Sequence, residues 1–160
     1  VLSQEQMERM RRLGVLAVLQ PNFVYALGEH MRAVLDEDQL AHLIPFRGLL
    51  EAGVPVALSA DGHPQEPLYG IYAAVARKTS TGHLLGASEA VSVMEAIRAY
   101  TRTSAYALFE EDRRGSIEPG KMADLIVLDR NILEAPVGEI KDSRVVLTVK
   151  DGKIVFNLLK

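Results

Sequence analysis

Two short apolar runs, each preceded by a helix-like segment that ends in glycine, restrict the possible folds of this chain more than any other feature. Residues 15–19 read Val-Leu-Ala-Val-Leu, and residues 54–58 read Val-Pro-Val-Ala-Leu. Runs of this length without alternation are typical of strands buried on both faces. Two such αβ units predict parallel strands, and Pro55 is tolerable near the start of its strand.

Helical patterns surround the two predicted strands. A capping-box sequence at 3–6 precedes a predicted helix at about 4–13, and apolar residues at 43–50 predict a second helix. A third stretch, from about 68 to 109, is dominated by helical sequence and contains another capping box at 92–95. The predicted strands are therefore covered by helices.

Each predicted strand runs into a segment that we interpret as a long loop. Residues 22–38 show no clean periodicity, and residues 62–67 are rich in turn-forming residues. In parallel α/β folds, the loops that leave the carboxyl ends of strands build the active site. We therefore look for functional residues in these two segments.

The character of the sequence changes near its C-terminal third. A strand is predicted at about 124–128, and residues 144–150 and 153–156 are joined through Asp151-Gly152, a strong hairpin signal. We expect two parts in the chain, residues 1–112 with the αβ units and residues 113–160 with a small antiparallel β element.

Composition excludes several classes of protein. The chain has 160 residues, no cysteine, and a formal net charge of -3 that is spread without a basic run. Nucleic-acid binding needs a concentrated positive surface, and a membrane span needs roughly 20 consecutive apolar residues; the sequence has neither. Disulfides and thiolate metal ligands are excluded, and we expect a cytoplasmic protein that binds neither nucleic acid nor membrane.

Three segments resemble one known family in their order and spacing. They are Leu-Gly-Val-Leu-Ala-Val-Leu-Gln-Pro at 13–21, Pro-Phe-Arg-Gly-Leu-Leu-Glu-Ala-Gly-Val-Pro-Val-Ala-Leu-Ser-Ala-Asp at 45–61, and Gly-Ser-Ile-Glu-Pro-Gly-Lys-Met-Ala-Asp-Leu-Ile-Val-Leu-Asp at 115–129. Together they resemble the last third of the amidohydrolase superfamily, particularly its family 3 branch. The last segment, with the closing Asp-Gly-Lys hairpin, is the most specific of the three.

The resemblance implies an α/β fold, namely the C-terminal fragment of a (β/α)8 barrel with part of a small flanking β-sandwich. The fragment would hold about the last two βα units, with residues 15–19 and 54–59 as the seventh and eighth strands. The resemblance also implies one or two divalent metals, usually zinc, at the carboxyl ends of the strands of the full-length enzyme.

Only one of the metal ligands that the resemblance implies has a match in this chain, the aspartate that ends the eighth strand, at Asp61. The chain begins at Val1 without an initiator methionine, and we expect the histidine ligands in upstream residues. A barrel takes about 250 residues, so two barrel strands cannot close one. The expected partner is the missing N-terminal part of the same enzyme, and we expect the fragment alone to bind no metal and to be inactive.

The role that the resemblance implies for Asp61 is consistent with the chemistry of a carboxylate. A carboxylate beside a metal and its coordinated water can accept a proton during attack on a carbonyl and return it to the leaving amine. Asp61 is thus the candidate metal ligand and catalytic residue. The alternative is an ordinary turn residue, because aspartate before glycine is common where strands end.

Gln20, Asn22 and His63 are the candidate substrate-binding residues, because they follow the predicted strands. The alternative for all three is loop capping, packing or exposure to solvent. We interpret the other polar residues as structural. His30, His42 and His83 are expected at the surface, and Arg47 as an ion-paired or solvated charge. Ser59 has no histidine partner for catalysis, and Asp124 is expected at the start of a strand.

The sequence thus predicts part of a metal-dependent hydrolase that acts on non-peptide carbon–nitrogen bonds of a small molecule, such as amides and cyclic amides. A deaminase of the same superfamily is the nearest variant. The alternative is a non-catalytic, truncated α/β module that self-associates through exposed strand edges. In either case we expect a homo-oligomer.

Overall fold

The computed structural model describes residues 1–62 and 64–159, and these residues form helices around two separate sheets. The helices are α1 (Gln4–Arg12), α2 (Asn22–Val34), α3 (Glu37–Ala41), α4 (Phe46–Glu51), α5 (Pro67–Ala76), α6 (Val93–Tyr100) and α7 (Arg102–Ala107). The strands are β1 (Ala17–Leu19), β2 (Val56–Leu58), β3 (Leu125–Leu128), β4 (Val145–Lys150) and β5 (Lys153–Asn157). Short 3-10 turns lie at Ala87–Glu89 and Val137–Asp142. The described chain is an α/β protein, as the sequence predicts.

The first sheet consists of β1 and β2, which pair in parallel with Ala17 opposite Val56 and Leu19 opposite Leu58. The predicted parallel pairing of the two αβ units is therefore confirmed. β2 is buried along its whole length, whereas Val18 in the middle of β1 is 50% exposed. The expectation of burial on both faces holds for β2 and fails for β1 within the described chain.

Both strands begin later than the apolar runs predict, because the residue after each glycine completes the preceding helix. Val15 N–H donates to Met10 O at 3.0 Å, and Val54 N–H donates to Leu49 O at 2.9 Å. Gly14 and Gly53 adopt positive φ angles of 67° and 75°, as the Schellman helix ending requires.

The main core lies between β2 and the helices that precede and follow it. Phe46 and Leu49 of α4 are 1% and 0% exposed, and they belong to one cluster with Val56 and Leu58 of β2. Helices α5 and α6 cover the same cluster. Burial of these apolar side chains fixes the position of β2.

The prediction of a long loop at residues 22–38 is wrong, because most of this segment is helix α2. The helix follows Pro21, which has no capping side chain, so the usual sequence signal of a helix start is missing. Val24 on one side of α2 packs with Leu43 and Leu85, while Tyr25 packs edge-on against Tyr69 and Tyr72. Val24, Met31 and Leu35 recur at helical spacing and pack in one cluster, so this periodic face is the sequence signal that the loop interpretation missed.

The predicted helical cover at 68–109 is correct for α5, α6 and α7 but is interrupted after α5. Arg77 ends α5 with a φ of 53°, and its guanidinium is buried. The side chain donates to Leu85 O at 3.0 Å, Gly86 O at 3.1 Å and Ile44 O at 3.4 Å. Burial lowers the pKa of Arg77 to about 10, which still leaves the group charged at neutral pH. Arg77 thus ties the segment after α5 to the start of α4.

The second sheet is antiparallel in the order β3-β4-β5, and the predicted C-terminal hairpin is confirmed. Asp151 and Gly152 have φ angles of 49° and 75°, as a two-residue hairpin turn of type I′ requires. Asp124 Oδ1 accepts a hydrogen bond from Asp151 N–H at 2.7 Å, which agrees with the structural role expected for Asp124. In the part of the chain that is described, no helix has the length and apolar character needed to cross a bilayer.

Replacing Leu49 with alanine should lower the free energy of unfolding by about 2–5 kcal/mol, because the substitution leaves a cavity at a fully buried site. Leu133→Ala is the matched control, since Leu133 is 50% exposed and should change stability by less than about 0.5 kcal/mol. Urea unfolding followed by circular dichroism measures both values. Equal losses for the two variants would contradict this description of the core.

Candidate active site

The polar residues that follow β1 and β2 meet at one edge of the parallel sheet. Ser59 N–H donates to Leu19 O at 2.9 Å, which continues the pairing one residue beyond the strands. Gln20 Nε2 donates to Ser59 Oγ at 2.8 Å. This is the edge at which parallel α/β folds carry their functional residues, and it is where the sequence places the candidate site.

Tyr100, at the end of α6, also contacts this edge and was not anticipated from the sequence. Its hydroxyl lies 3.4 Å from Ser59 O, to which it donates. Burial raises the pKa of Tyr100 to about 12, so the hydroxyl keeps its proton and remains a donor. The two residues are 41 positions apart, and in the sequence Tyr100 has the ordinary pattern of an apolar helix position. Only the helix packing brings it to the strand end.

Asn22 is fully buried and holds the loop that follows β2. Its Nδ2 donates to Ala60 O at 2.8 Å and lies 3.2 Å from Gly62 O and 3.4 Å from Pro64 O. The three acceptors are backbone carbonyls, which identifies the nitrogen end of the amide as the end facing the loop. The side chain of Asn22 is thus directed at the loop backbone rather than at solvent.

Asp61 lies at the centre of that loop in a left-handed backbone conformation, with a φ of 55°. The residue is exposed, and its backbone carbonyl accepts from Gln65 Nε2 at 3.4 Å. Among the described residues, no hydrogen bond or ion pair involves the Asp61 carboxylate. The carboxylate is therefore accessible at the carboxyl edge of the parallel strands.

An accessible carboxylate at this edge is chemically suited to be one ligand of a divalent metal, because aspartate oxygen is a regular zinc ligand. Within residues 1–62 and 64–159, no three histidine or acidic side chains come together as a metal-binding group. The described residues therefore do not form a metal site by themselves, and Asp61 is a candidate for a single donor.

The structure accounts for the other polar candidates as follows. His63 lies outside the described residues. His42 lies 3.6 Å from Glu89 and His83 lies 2.9 Å from Glu29, with the two histidine side chains 58% and 52% exposed. With the exposed His30 on α2, they confirm the prediction of surface histidines.

Arg47 forms an ion pair with Glu95, as expected. Its two terminal nitrogens each lie 2.9 Å from a carboxylate oxygen of Glu95, the residue that completes the capping box of α6 with Ser92. The hydrogen bonds from Arg47 lower the pKa of Glu95 from 4.5 to about 2. The ion pair joins α4 to α6.

A model of the amidohydrolase family matches residues 1–156 of this chain. The chain is 39% identical over 155 residues to an N-substituted formamide deformylase from Arthrobacter pascens, covering 94% of this chain and 28% of that protein. It is 32% identical over 154 residues to an imidazolonepropionase from Shouchella clausii, covering 92% of this chain and 29% of that protein. Among solved structures, it superposes with a TM-score of 0.72 and 26% identity on a metal-dependent hydrolase of uncharacterised function from Pyrococcus horikoshii, covering 86% of this chain and 29% of that one.

These matches agree with the α/β fold described above. The chain belongs to the amidohydrolase superfamily, in its family 3 branch. It spans less than a third of the length of each of the three relatives.

The Arg47–Glu95 pair predicts how stability depends on acid. Glu95 stays ionised in the folded chain down to about pH 2 but is protonated below pH 4.5 when unfolded, so its contribution to stability is lost as pH falls from 4.5 to about 2. Glu95→Gln keeps the capping box and should flatten the pH dependence of the unfolding free energy in this range. Glu134→Gln, at an exposed position, should leave the slope unchanged; equal slopes in all three proteins would exclude a role for the pair.

The contact between Tyr100 and the strand end depends on the absence of a side chain at position 70. A β-carbon on Gly70 would collide with the Tyr100 hydroxyl, so Gly70→Ala should destabilise the chain by about 1–3 kcal/mol. Adding Tyr100→Phe should restore part of this loss, because it removes the colliding oxygen. Gly138→Ala is the control, since a β-carbon there meets nothing within 4 Å. Thermal unfolding of the four proteins measures the effect, and no rescue by Tyr100→Phe would contradict it.

Proposed function

We propose that this chain is the C-terminal part of a metal-dependent hydrolase that cleaves non-peptide carbon–nitrogen bonds, with Asp61 as metal ligand and proton shuttle. The observation that carries the proposal is the position of Asp61, an exposed carboxylate in a fixed left-handed conformation at the carboxyl edge of two parallel strands. Membership of the amidohydrolase superfamily supports it.

In this proposal, β1 and β2 are the seventh and eighth strands of a (β/α)8 barrel, and residues 113–160 belong to a small flanking β-sandwich. Two features support the barrel. In both αβ units a helix precedes the strand. Val18 in the middle of β1 is 50% exposed, and a neighbouring strand and the barrel interior would cover it in the full-length enzyme. The N-terminal part of the same enzyme is then the principal partner of this chain.

The mechanism assigns two tasks to the Asp61 carboxylate. One oxygen would hold a divalent metal, with zinc as the expected ion, together with ligands from the N-terminal part. When bound, such a metal lowers the pKa of coordinated water and polarises a substrate carbonyl. Asp61 would accept the proton of the attacking water and deliver it to the nitrogen as the carbon–nitrogen bond breaks.

The substrates we propose are small amides and cyclic amides. The names of two relatives refer to N-substituted formamides and to an imidazolone, which are an open-chain amide and a ring with a carbon–nitrogen bond beside a carbonyl. Gln20 and His63 follow the two barrel strands and remain our candidates for substrate contact. Asn22, the third candidate from the sequence, is buried with its amide on the loop backbone, and we propose a different role for it below. We propose a cytoplasmic enzyme.

A second candidate function, a non-catalytic module that self-associates, is supported by the surface of β5. Ile154 and Val155 are 62% and 61% exposed, and Phe156 is 44% exposed, on a strand at the edge of the second sheet. Exposed apolar edge strands favour pairing with another copy. Light scattering at increasing concentration tests this candidate: growth of dimers that Ile154→Lys abolishes would support it, and a monomer throughout would not.

Asp61→Asn tests the enzymatic proposal in protein expressed from the complete coding sequence. We expect kcat on an N-substituted formamide or a cyclic amide to fall by about 10²- to 10⁴-fold, because the amide cannot accept the proton. Asp151→Asn is the matched control, since Asp151 is also an exposed, left-handed aspartate before glycine but lies in the C-terminal hairpin. Steady-state kinetics and bound metal per chain are measured together, and unchanged activity in Asp61→Asn would overturn the proposal.

A further inference from the structure

We infer that Asn22 is a positioning residue for Asp61, acting through the loop backbone rather than through contact with substrate. The inference rests on the proposed function of Asp61 and extends it to a second residue. Its basis is the hydrogen bonding of the Asn22 amide to carbonyls on both sides of Asp61.

The loop needs such a support because of its backbone conformation. Asp61 has a φ of 55°, a left-handed conformation that is strained for most side chains. Ala60 O precedes this residue and Gly62 O follows it, and Asn22 Nδ2 lies 2.8 Å from the first and 3.2 Å from the second. One amide group therefore spans the strained residue and fixes the direction of its side chain.

Asn22 itself has a fixed position. It is the first residue of α2 and is 0% exposed, and α2 is anchored by the buried Val24 two residues later. The ring of the neighbouring Phe23 lies close to the loop, since a β-carbon on Gly62 would be 3.1 Å from it. The start of α2 thus forms the support against which the Asp61 loop is held.

The chemistry of the contact requires a hydrogen-bond donor at position 22. A carboxylate of the same shape would place a buried negative charge against three carbonyl oxygens, which repels the loop instead of holding it. Asn22→Asp therefore reverses the interaction without changing volume, and Asn22→Ala removes it. Asn131→Asp is the matched control, because Asn131 is exposed and uses its Oδ1 as an acceptor for Leu133 N–H, which aspartate can also do.

The test is a double-mutant cycle on zinc affinity, measured by competition with a chromophoric chelator in protein from the complete coding sequence. Asn22→Ala and Asn22→Asp should each weaken zinc binding by about 10- to 100-fold, the usual loss when a residue that orients a metal ligand is removed. In the Asp61→Asn background the same substitutions should cause no further loss, and Asn131→Asp should have no effect in either background. Circular dichroism verifies that each variant is folded.

A second readout follows the loop without any metal. Attack of the Gly62 nitrogen on the Asp61 carboxyl carbon, with loss of water and subsequent hydrolysis, converts Asp61 to isoaspartate and requires a mobile backbone. Asn22→Ala and Asn22→Asp should accelerate this reaction at Asp61-Gly62, while Asp151-Gly152 provides a reference in the same molecule. Peptide mapping of aged protein by mass spectrometry measures both sites.

Each outcome has a defined meaning. Additive losses of zinc affinity in the cycle, or unchanged affinity and unchanged isoaspartate formation in both Asn22 variants, would overturn the inference. If Asp61→Asn alone leaves zinc affinity intact, the proposed function of Asp61 fails. The isoaspartate rates then still decide whether Asn22 holds the loop.

Discussion

The parallel pairing of β1 with β2 is the constraint on which the candidate site depends. Because Leu19 lies opposite Leu58, the residues that follow the two strands leave the sheet at the same edge and at the same level. The strands have three residues each, so the pairing owes its stability to the core that buries β2 rather than to the ladder itself. Without this register, Asn22 could not reach the loop that carries Asp61.

The two ends of this strand pair are fixed by different kinds of interaction. At the start, Gly14 and Gly53 end the preceding helices in left-handed turns whose last hydrogen bonds include the first residue of each apolar run. At the other end, side chains take over: Gln20 binds Ser59, and Asn22 binds the carbonyls around Asp61. The sheet edge is therefore held by polar contacts between the segments it brings together.

The order of elements and the C-terminal hairpin could be predicted because their signals are local: a glycine after a helix, an apolar run, and Asp151-Gly152 between alternating strands. Helix α2 lacks one local signal, since Pro21 offers no capping side chain, and its remaining signal is the helical spacing of Val24, Met31 and Leu35, which the loop interpretation missed. Asp61 was found through family resemblance. Tyr100 and the bonding of Asn22 were not, because both depend on contacts about 40 residues apart in sequence.

We propose above that the Asp61 carboxylate binds a metal in the full-length enzyme. The most direct measurement is anomalous diffraction at the zinc edge from crystals of the full-length enzyme grown with zinc. We expect an anomalous peak about 2.0–2.2 Å from an Asp61 carboxylate oxygen, at the carboxyl edge of β1 and β2. A zinc peak bound elsewhere, with the Asp61 carboxylate in solvent, would contradict it.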